Sequence, residues 1–355
     1  MDRHLFELYT DYLLASFGPT TATGMSRAVD NEISHDKITR MLASEKLTAK
    51  DWWRMVKPEV RRVQAPDAVL AFDDSIEAKP HTDENEIVCW HYDHSKGRTV
   101  KGINFLTAHY VTQEVSLPVS FELVEKTEWY TDKKGRERRR SATTKNERFR
   151  NMVAACVKNK LPIRYVLADS WYAAVDNMRF LKLDLKLDFI FALKSNRKVA
   201  LSFDEKQAGK YTKLNELYLP EATPTTIYLE QVSFALLLVK QVFTNKDGST
   251  GVRYLVTSDL TLDFSGTTTI YQKRWKVEEY HRSLKQNASL EKSPTRNETT
   301  QTNHFVAAMW AWCKLELLSV HRASNHYALK SHLYITALKV AFFQLRILNA
   351  ATPAA

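Results

Sequence analysis

Two short apolar runs, each closed by carboxylates, set the tightest limit on how this chain folds. AVLAFDD (Ala68–Asp74) and RYVLADS (Arg164–Ser170) read as buried strands, the first ending in Asp73 and Asp74 and the second in Asp169. The ends of strands are where an open sheet presents side chains to a crevice. Carboxylates gathered there repel one another unless they are protonated or bridged by cations. Hard oxygen ligands select Mg²⁺ or Mn²⁺ over zinc. Two such ions about 4 Å apart can activate a nucleophile and stabilise the leaving oxygen in phosphodiester cleavage.

The texture around these runs predicts an α/β chain. Residues 1–64 read as helical, and Met25–Leu42 within them as two short helices joined by a tight turn. Asn31 suits the left-handed conformation of such a turn, and Ser34 suits the N-cap of the second helix. Ile38, Met41 and Leu42 would then face inward and His35, Asp36, Lys37 and Arg40 outward. This is a helix-turn-helix pattern able to enter a major groove, with His35, Lys37 and Arg40 toward DNA; a small helical bundle with a polar surface gives the same pattern. GINFLTAHYVT and EVSLPVSFELVE follow AVLAFDD at hairpin-like spacing, so three strands should be neighbours. A helix over 146–161 precedes RYVLADS, and another over roughly 173–183 precedes the strand DFIFALK. Antiparallel strands followed by strand–helix alternation make a mixed sheet flanked by helices. Between 195 and 260 the alternation stops in a β-rich insertion, and the remainder is helical, with HFVAAMWAWCKLELLSV and LYITALKVAFFQLRIL both expected to pack on the sheet.

Charge points to the partner class. Fifty-one Lys and Arg against 41 Asp and Glu leave a net charge of +10, which favours an anionic partner. The segment Lys126–Arg150 carries ten basic and four acidic residues and reads as a hairpin extension turning at Lys134–Gly135. Lys133, Lys134, Arg136, Arg138, Arg139 and Arg140 there are candidates for phosphate contact, which adds affinity without reading sequence. The bland alternative is a solvated charged face. Cys89, Cys156 and Cys313 form no CxxC pair, which argues against a zinc finger or a disulfide scaffold and fits a reducing cytoplasm. The opening residues lack a secretory signal's apolar core, and the longest apolar run, Phe305–Cys313, is too short for a bilayer, so no membrane partner is expected. HYDH (His91–His94) has metal-like spacing, but a surface or edge position on a strand explains it better. Trp171 and Trp275 could stack on an unpaired base, with core packing the stronger expectation for both.

The stretch YQKRWKVEEYHRSLKQ (Tyr271–Gln286) supplies the third acid. On one continuous helix Tyr271, Arg274, Glu278 and Lys285 fall within about 60° of arc, while Val277, Tyr280 and Leu284 gather on an apolar sector. Glu278 could thus reach metals while Arg274, Arg282 and Lys285 meet phosphates. Incidental ion pairs on an amphipathic helix are the alternative.

Tyr271, Arg274, Glu278 and Lys285 in the spacing Y-x2-R-x3-E-x6-K resemble the YREK signature of bacterial cut-and-paste transposases of the insertion-sequence-four superfamily, which includes the Tn-five group. AFDDS and VLADSWY match that family's two other motifs in order and context. The resemblance implies an RNase H-like core with a DDE triad of Asp73, Asp169 and Glu278 holding two Mg²⁺ ions, for which Mn²⁺ can substitute. Asp74 remains an alternative to Asp73, although an aspartate two before Ser75 favours Asp73. It further implies phosphate contacts from Tyr271, Arg274 and Lys285, and a β-strand insertion between the second and third acids. The division expected is a DNA-binding domain over 1–64, a catalytic core over 65–194 and 261–350, and the insertion over 195–260. The activity implied is cleavage and strand transfer at terminal inverted repeats of double-stranded DNA, through hairpin ends in the resembled family, by a homodimer in a synaptic complex. A DNA-binding regulator without catalysis and an RNase H-like nuclease or resolvase without strand transfer are the rival readings.

Overall fold

The computed structural model describes residues 2–94, 96–245 and 247–351. Four helices open the chain: α1 (Arg3–Ala15), α2 (Ala22–Ala28), α3 (His35–Leu42) and α4 (Ala49–Val63). The turn between α2 and α3 places both Asp30 (φ 51°) and Asn31 (φ 62°) in the left-handed region, and the Ser34 hydroxyl accepts from the Lys37 amide. Ile38, Met41 and Leu42 are buried, and His35, Lys37 and Arg40 are exposed, a pattern that a helix-turn-helix and a plain helical bundle share.

Strands β1 (Val69–Ala78), β2 (Val88–Asp93), β3 (Arg98–Val111) and β4 (Ser116–Leu123) come next, then an outlying hairpin of β5 (Glu128–Thr131) and β6 (Glu137–Arg140). Helix α5 (Lys145–Lys158), strand β7 (Tyr165–Ala168), helix α6 (Val175–Arg179) and strand β8 (Asp188–Leu193) follow. β1 pairs antiparallel with β3 and β3 with β4, whereas β7 runs parallel to both β1 and β8. This mixed α/β order is consistent with the RNase H-like sheet expected.

The insertion contains β9 (Lys198–Val199), α7 (Phe203–Gln207), β10 (Thr212–Lys213), β11 (Thr225–Ile227), β12 (Leu236–Thr244) and β13 (Thr250–Thr257). Its last three strands do not form a body of their own. β13 pairs antiparallel with β8, so the nine-stranded sheet continues outward as β8–β13–β12–β11. The opening helices are also built into the main core. One apolar cluster runs from Leu5 to Cys313, the Trp52 indole on α4 donates to the Pro118 carbonyl on β4 at 3.0 Å, and the Tyr9 hydroxyl meets His304 Nδ1 at 2.9 Å.

Helices α8 (Phe264–Gln272), α9 (Trp275–Gln286), α10 (Glu298–Arg322) and α11 (His326–Ala351) complete the described chain. Helix α10 is buried as expected over most of its first 18 residues. The expectation that LYITALKVAFFQLRIL packs on the sheet is overturned. The start of α11 is anchored, with His326 Nδ1 2.8 Å from the Ser283 hydroxyl and His326 Nε2 2.9 Å from Glu316. Beyond Lys330 every described side chain of α11 is exposed, including Leu333, Phe342, Phe343 and Leu348. Amphipathic spacing shows that a helix has an apolar side, but not which surface covers it. By length and composition α11 is also the one helix among the described residues apolar enough to cross a membrane.

Candidate active site

Unequal strand lengths create the site. β1 and β7 pair in parallel only over Val69–Ala71 and Tyr165–Leu167, and β1 then runs on to Ala78 after β7 has ended at Ala168. The crevice left beyond β7 receives Asp73 and Asp74 from the middle of β1 and Asp169 from the turn after β7. The run Ala68–Asp74 therefore does not end at its carboxylates, because β3 carries the pairing of β1 five residues past Asp73.

The third wall is α9. The single helix expected over 271–286 is instead two, joined at Lys273–Arg274 by tight i→i−3 bonds from Lys276 to Lys273 (3.2 Å) and from Val277 to Arg274 (3.0 Å). The break lets Tyr271 stay under the end of β7, its hydroxyl donating to the Ala168 carbonyl at 3.3 Å, while α9 turns across β1 and β3. Buried Val277, Tyr280 and Leu284 hold α9 down, Val277 and Leu284 each contributing about 1.5–3 kcal/mol of apolar burial. The buried His281 ring meets the Thr107 hydroxyl at 3.2 Å, directly beside the Asp73↔Thr107 strand pair.

Asp73, Asp169 and Glu278 thereby line one cleft of about 840 Å³. Arg274 links two of them: Nη1 donates to Asp73 Oδ2 at 3.1 Å and Nη2 to Glu278 Oε1 at 2.5 Å. Asp73 Oδ1 accepts from the Asp74 amide at 2.9 Å, and Asp169 Oδ1 from the Trp171 amide at 2.9 Å. Burial, reinforced by the charges of Asp169 and Asp74 and opposed by Arg274, pushes the Asp73 carboxyl up to about 7. Burial also raises Asp169.

Asp74 is arranged differently. Lys145 donates to its Oδ2 at 2.6 Å, Asn104 to the same oxygen at 3.1 Å and the Tyr172 hydroxyl to Oδ1 at 3.1 Å. Burial pushes this carboxyl up, but Lys145 and the hydrogen bonds outweigh burial and hold it below the usual range. Neighbouring aspartates on one strand thus have opposite surroundings: Asp73 faces the other acids, and Asp74 is fully engaged.

The floor of the cleft is acidic and its rim basic. Lys96, Lys126, Lys145, Lys194, Arg282 and Lys285 all line it. Lys285 donates to the Ile76 carbonyl at 2.7 Å, and Arg282 is exposed. Tyr271 is not placed to meet a phosphate, since it is 5% exposed and its hydroxyl is engaged. Core packing is overturned for both tryptophans. Trp171 is 46% exposed at the cleft, with the His94 ring 5.6 Å away and Lys194 Nζ 5.6 Å from its face. Trp275 is 50% exposed and lines a second cleft of about 650 Å³ with Arg253, Lys273, Arg274 and Lys276.

Sequence reasoning missed Lys145, Asn104, Tyr172 and Lys194. A second aspartate beside Asp73 signals that some cation must compensate it, but spacing along the chain does not say which.

The α3 and hairpin candidates are not among the residues that line this cleft, whereas His91 and His94 are. His35, Lys37 and Arg40 stand on α3, with Lys37 Nζ 3.5 Å from Asp2. The charged segment does form a hairpin, turning through Gly135 (φ 73°). Arg138 pairs with Asp132 at 2.7 Å and Arg140 with Glu128 at 2.9 Å, and Arg139 lies over the Trp129 ring at 4.4 Å. Lys133, Lys134 and Arg136 are exposed at its tip, where no ion pair holds them among the described residues. Of the HYDH pair, His91 is buried and His94 exposed, and burial lowers His91 to about 3.

The donor chemistry fits a hard divalent cation: three oxygen-bearing acids, one of them pressed toward its neutral form by burial and by the neighbouring carboxylates. Among the described residues no three His, Cys, Asp or Glu side chains meet closely enough to hold one ion in this conformation, because the guanidinium of Arg274 lies between Asp73 and Glu278.

No curated protein matches the chain. Residues 1–226 of the 355 match the family described as DDE superfamily endonuclease, a stretch that includes the opening helices, Asp73 and Asp169 and stops before Glu278. With nearly two thirds of its length matched, the chain belongs to the DDE superfamily endonucleases.

Proposed function

We propose that the chain is a DNA transposase of the cut-and-paste type, in which Asp73, Asp169 and Glu278 hold two Mg²⁺ ions, replaceable by Mn²⁺. The reading is carried by one observation: three acids separated by up to 205 residues (278 − 73) line one cleft with a rim of lysines and arginine. Membership of the DDE superfamily endonucleases supports an enzyme that cuts DNA, in a superfamily that generally uses divalent ions. When bound, the ions would supply positive charge that activates the attacking oxygen and stabilises the leaving one. The residues do the rest. Arg282 and Lys285 would grip the phosphates flanking the scissile bond, and Trp171 would offer a ring face to an unpaired base. Tyr271 would set Arg274 from below rather than touch DNA. Asp73 is favoured over Asp74 as the first ligand, because Lys145, Asn104 and Tyr172 already engage Asp74.

His35, Lys37 and Arg40 on α3 would contact the terminal repeats, and the tip of the basic hairpin, Lys133, Lys134 and Arg136, would follow the backbone of end or target DNA. Arg138, Arg139 and Arg140 would shape and charge that hairpin. Joining two ends requires two catalytic chains, and the exposed apolar side of α11 offers the surface for a homodimer. A plasmid carrying the element's ends, incubated with chain and Mg²⁺, separates the readings. Excision with integration supports the proposal, cleavage without joining supports a nuclease, and binding alone supports a regulator. Glu278→Ala should abolish chemistry and spare end binding; strand transfer by that variant at a normal rate would refute the ligand assignment.

A further inference from the structure

Arg274 occupies an unusual place for a residue expected to meet DNA. Its two terminal nitrogens each reach a different acid, Asp73 on β1 and Glu278 on α9, so that one guanidinium spans the gap between them. Spanning two carboxylates is what a shared divalent ion does, and the positions compete: a cation bridging these oxygens and the guanidinium cannot both be there. The side chain is 12% exposed, and Nε is buried with no hydrogen-bond partner among the described residues. The arginine is therefore held by the charge of the acids more than by a fitted set of acceptors, and a stronger cation can replace it.

The displaced side chain has somewhere to go. Arg274 also lines the second cleft with Arg253, Lys273 and Lys276, against one acid among its lining residues, Glu279, which pairs with Lys276 at 3.0 Å, so the balance there is positive and suited to polyanion. It lines this cleft while its guanidinium bonds Asp73 and Glu278, which line the acidic one, so its side chain reaches from one cleft to the wall of the other.

We infer that Arg274 is a resident counter-cation of the acidic site, and that loading divalent ions moves its guanidinium into the second cleft, where it binds nucleic-acid phosphate. Ion binding and phosphate binding are then coupled, each favouring the other by the same factor. Without DNA the arginine protects the acids from one another and keeps ion affinity low. With DNA the phosphate draws it away and the ions bind tightly. This rests on Asp73 and Glu278 being ion ligands, as proposed above.

Mn²⁺ binding to the full chain without DNA, read by electron paramagnetic resonance of the free ion, tests the inference for the wild type, Arg274→Gln and Glu278→Ala. Arg274→Gln should bind Mn²⁺ about tenfold more tightly than wild type, as loss of a competing cation requires, and Glu278→Ala more weakly. In the wild-type chain, the Nε–Hε resonance of Arg274, identified by its loss in Arg274→Lys, should shift on addition of Mg²⁺ and exchange faster with water. That second measurement stands even if Arg274→Gln does not fold. Weakened binding by Glu278→Ala together with an Arg274 resonance unmoved at saturating Mg²⁺ overturns the displacement and leaves the ligand assignment standing. So does equal affinity in wild type and a folded Arg274→Gln. Equal Mn²⁺ binding by Glu278→Ala and wild type overturns both.

Discussion

Lys145→Met removes the cation that compensates Asp74 while roughly keeping the volume of the side chain. In the wild type the ammonium lies 2.6 Å from Asp74 Oδ2, with side-chain exposures of 28% and 22% for the two partners. Breaking a fully buried pair costs about 3–5 kcal/mol, because an uncompensated charge remains inside. Partial exposure and the surviving bonds from Asn104 and Tyr172 reduce that cost here to about 2 kcal/mol. Urea unfolding should show this loss in Lys145→Met at pH 7. Asp74→Asn in the same chain removes the stranded charge, so the double variant should recover most of the loss. The pH dependence has a definite sign. The folded Asp74 carboxyl is held below its usual value, so the pair contributes fully above about pH 4 and fades as pH falls through the depressed value. The deficit of Lys145→Met should accordingly be flat from neutral pH down to about 5 and shrink below about 4. A deficit under about 0.5 kcal/mol, the range of an ordinary surface substitution, would refute the reasoning, as would one that Asp74→Asn leaves unchanged. Either result would reopen Asp74 as an ion ligand.

Asp73 should respond in the opposite sense. Its carboxyl is pushed up to about 7, so between about pH 4 and 7 the folded chain keeps a proton that the unfolded chain releases. Metal-free stability should fall as pH rises through that window and level off above it, and Asp73→Asn should flatten the profile. Because an ion must displace that proton, the stabilisation given by Mg²⁺ in thermal unfolding should grow from pH 6 to pH 8; a pH-independent Mg²⁺ effect would count against Asp73 as a ligand. Deleting residues 331–355 removes the exposed length of α11. If the helix joins two copies, the shortened chain should sediment as a monomer at concentrations where the full chain is a dimer, with its unfolding midpoint little changed; identical sedimentation would exclude α11 from the interface.

Much of the site was legible because its parts obey local rules. Apolar runs carrying acids gave β1 and β7, but Asp73 lies in the middle of β1 and shares a crevice with Asp169 because β7 stops just past its parallel pairing with β1. Glu278 was reachable from the spacing of charged and apolar groups on its helix. What escaped the sequence was set by tertiary packing. Nothing in QKRW marks a helix break, because it arises from Tyr271 tucked under β7 while α9 turns across β1 and β3. Trp171 was expected inside because large aromatic rings usually are, yet its amide is committed to Asp169 and its ring stands in the cleft mouth. The insertion could be read as strands, but its pairing onto β8 could not, since edge hydrogen bonds carry no local signature.

The most direct test is anomalous diffraction from crystals of the chain grown with Mn²⁺ and a duplex carrying the element's end. The expected result is two manganese peaks about 4 Å apart, with oxygens of Asp73, Asp169 and Glu278 at about 2.1 Å and Arg274 withdrawn toward phosphate. Manganese held at Asp74 or among His91, Asp93 and His94, with Glu278 still paired to Arg274 while the phosphodiester lies in the cleft, would contradict it.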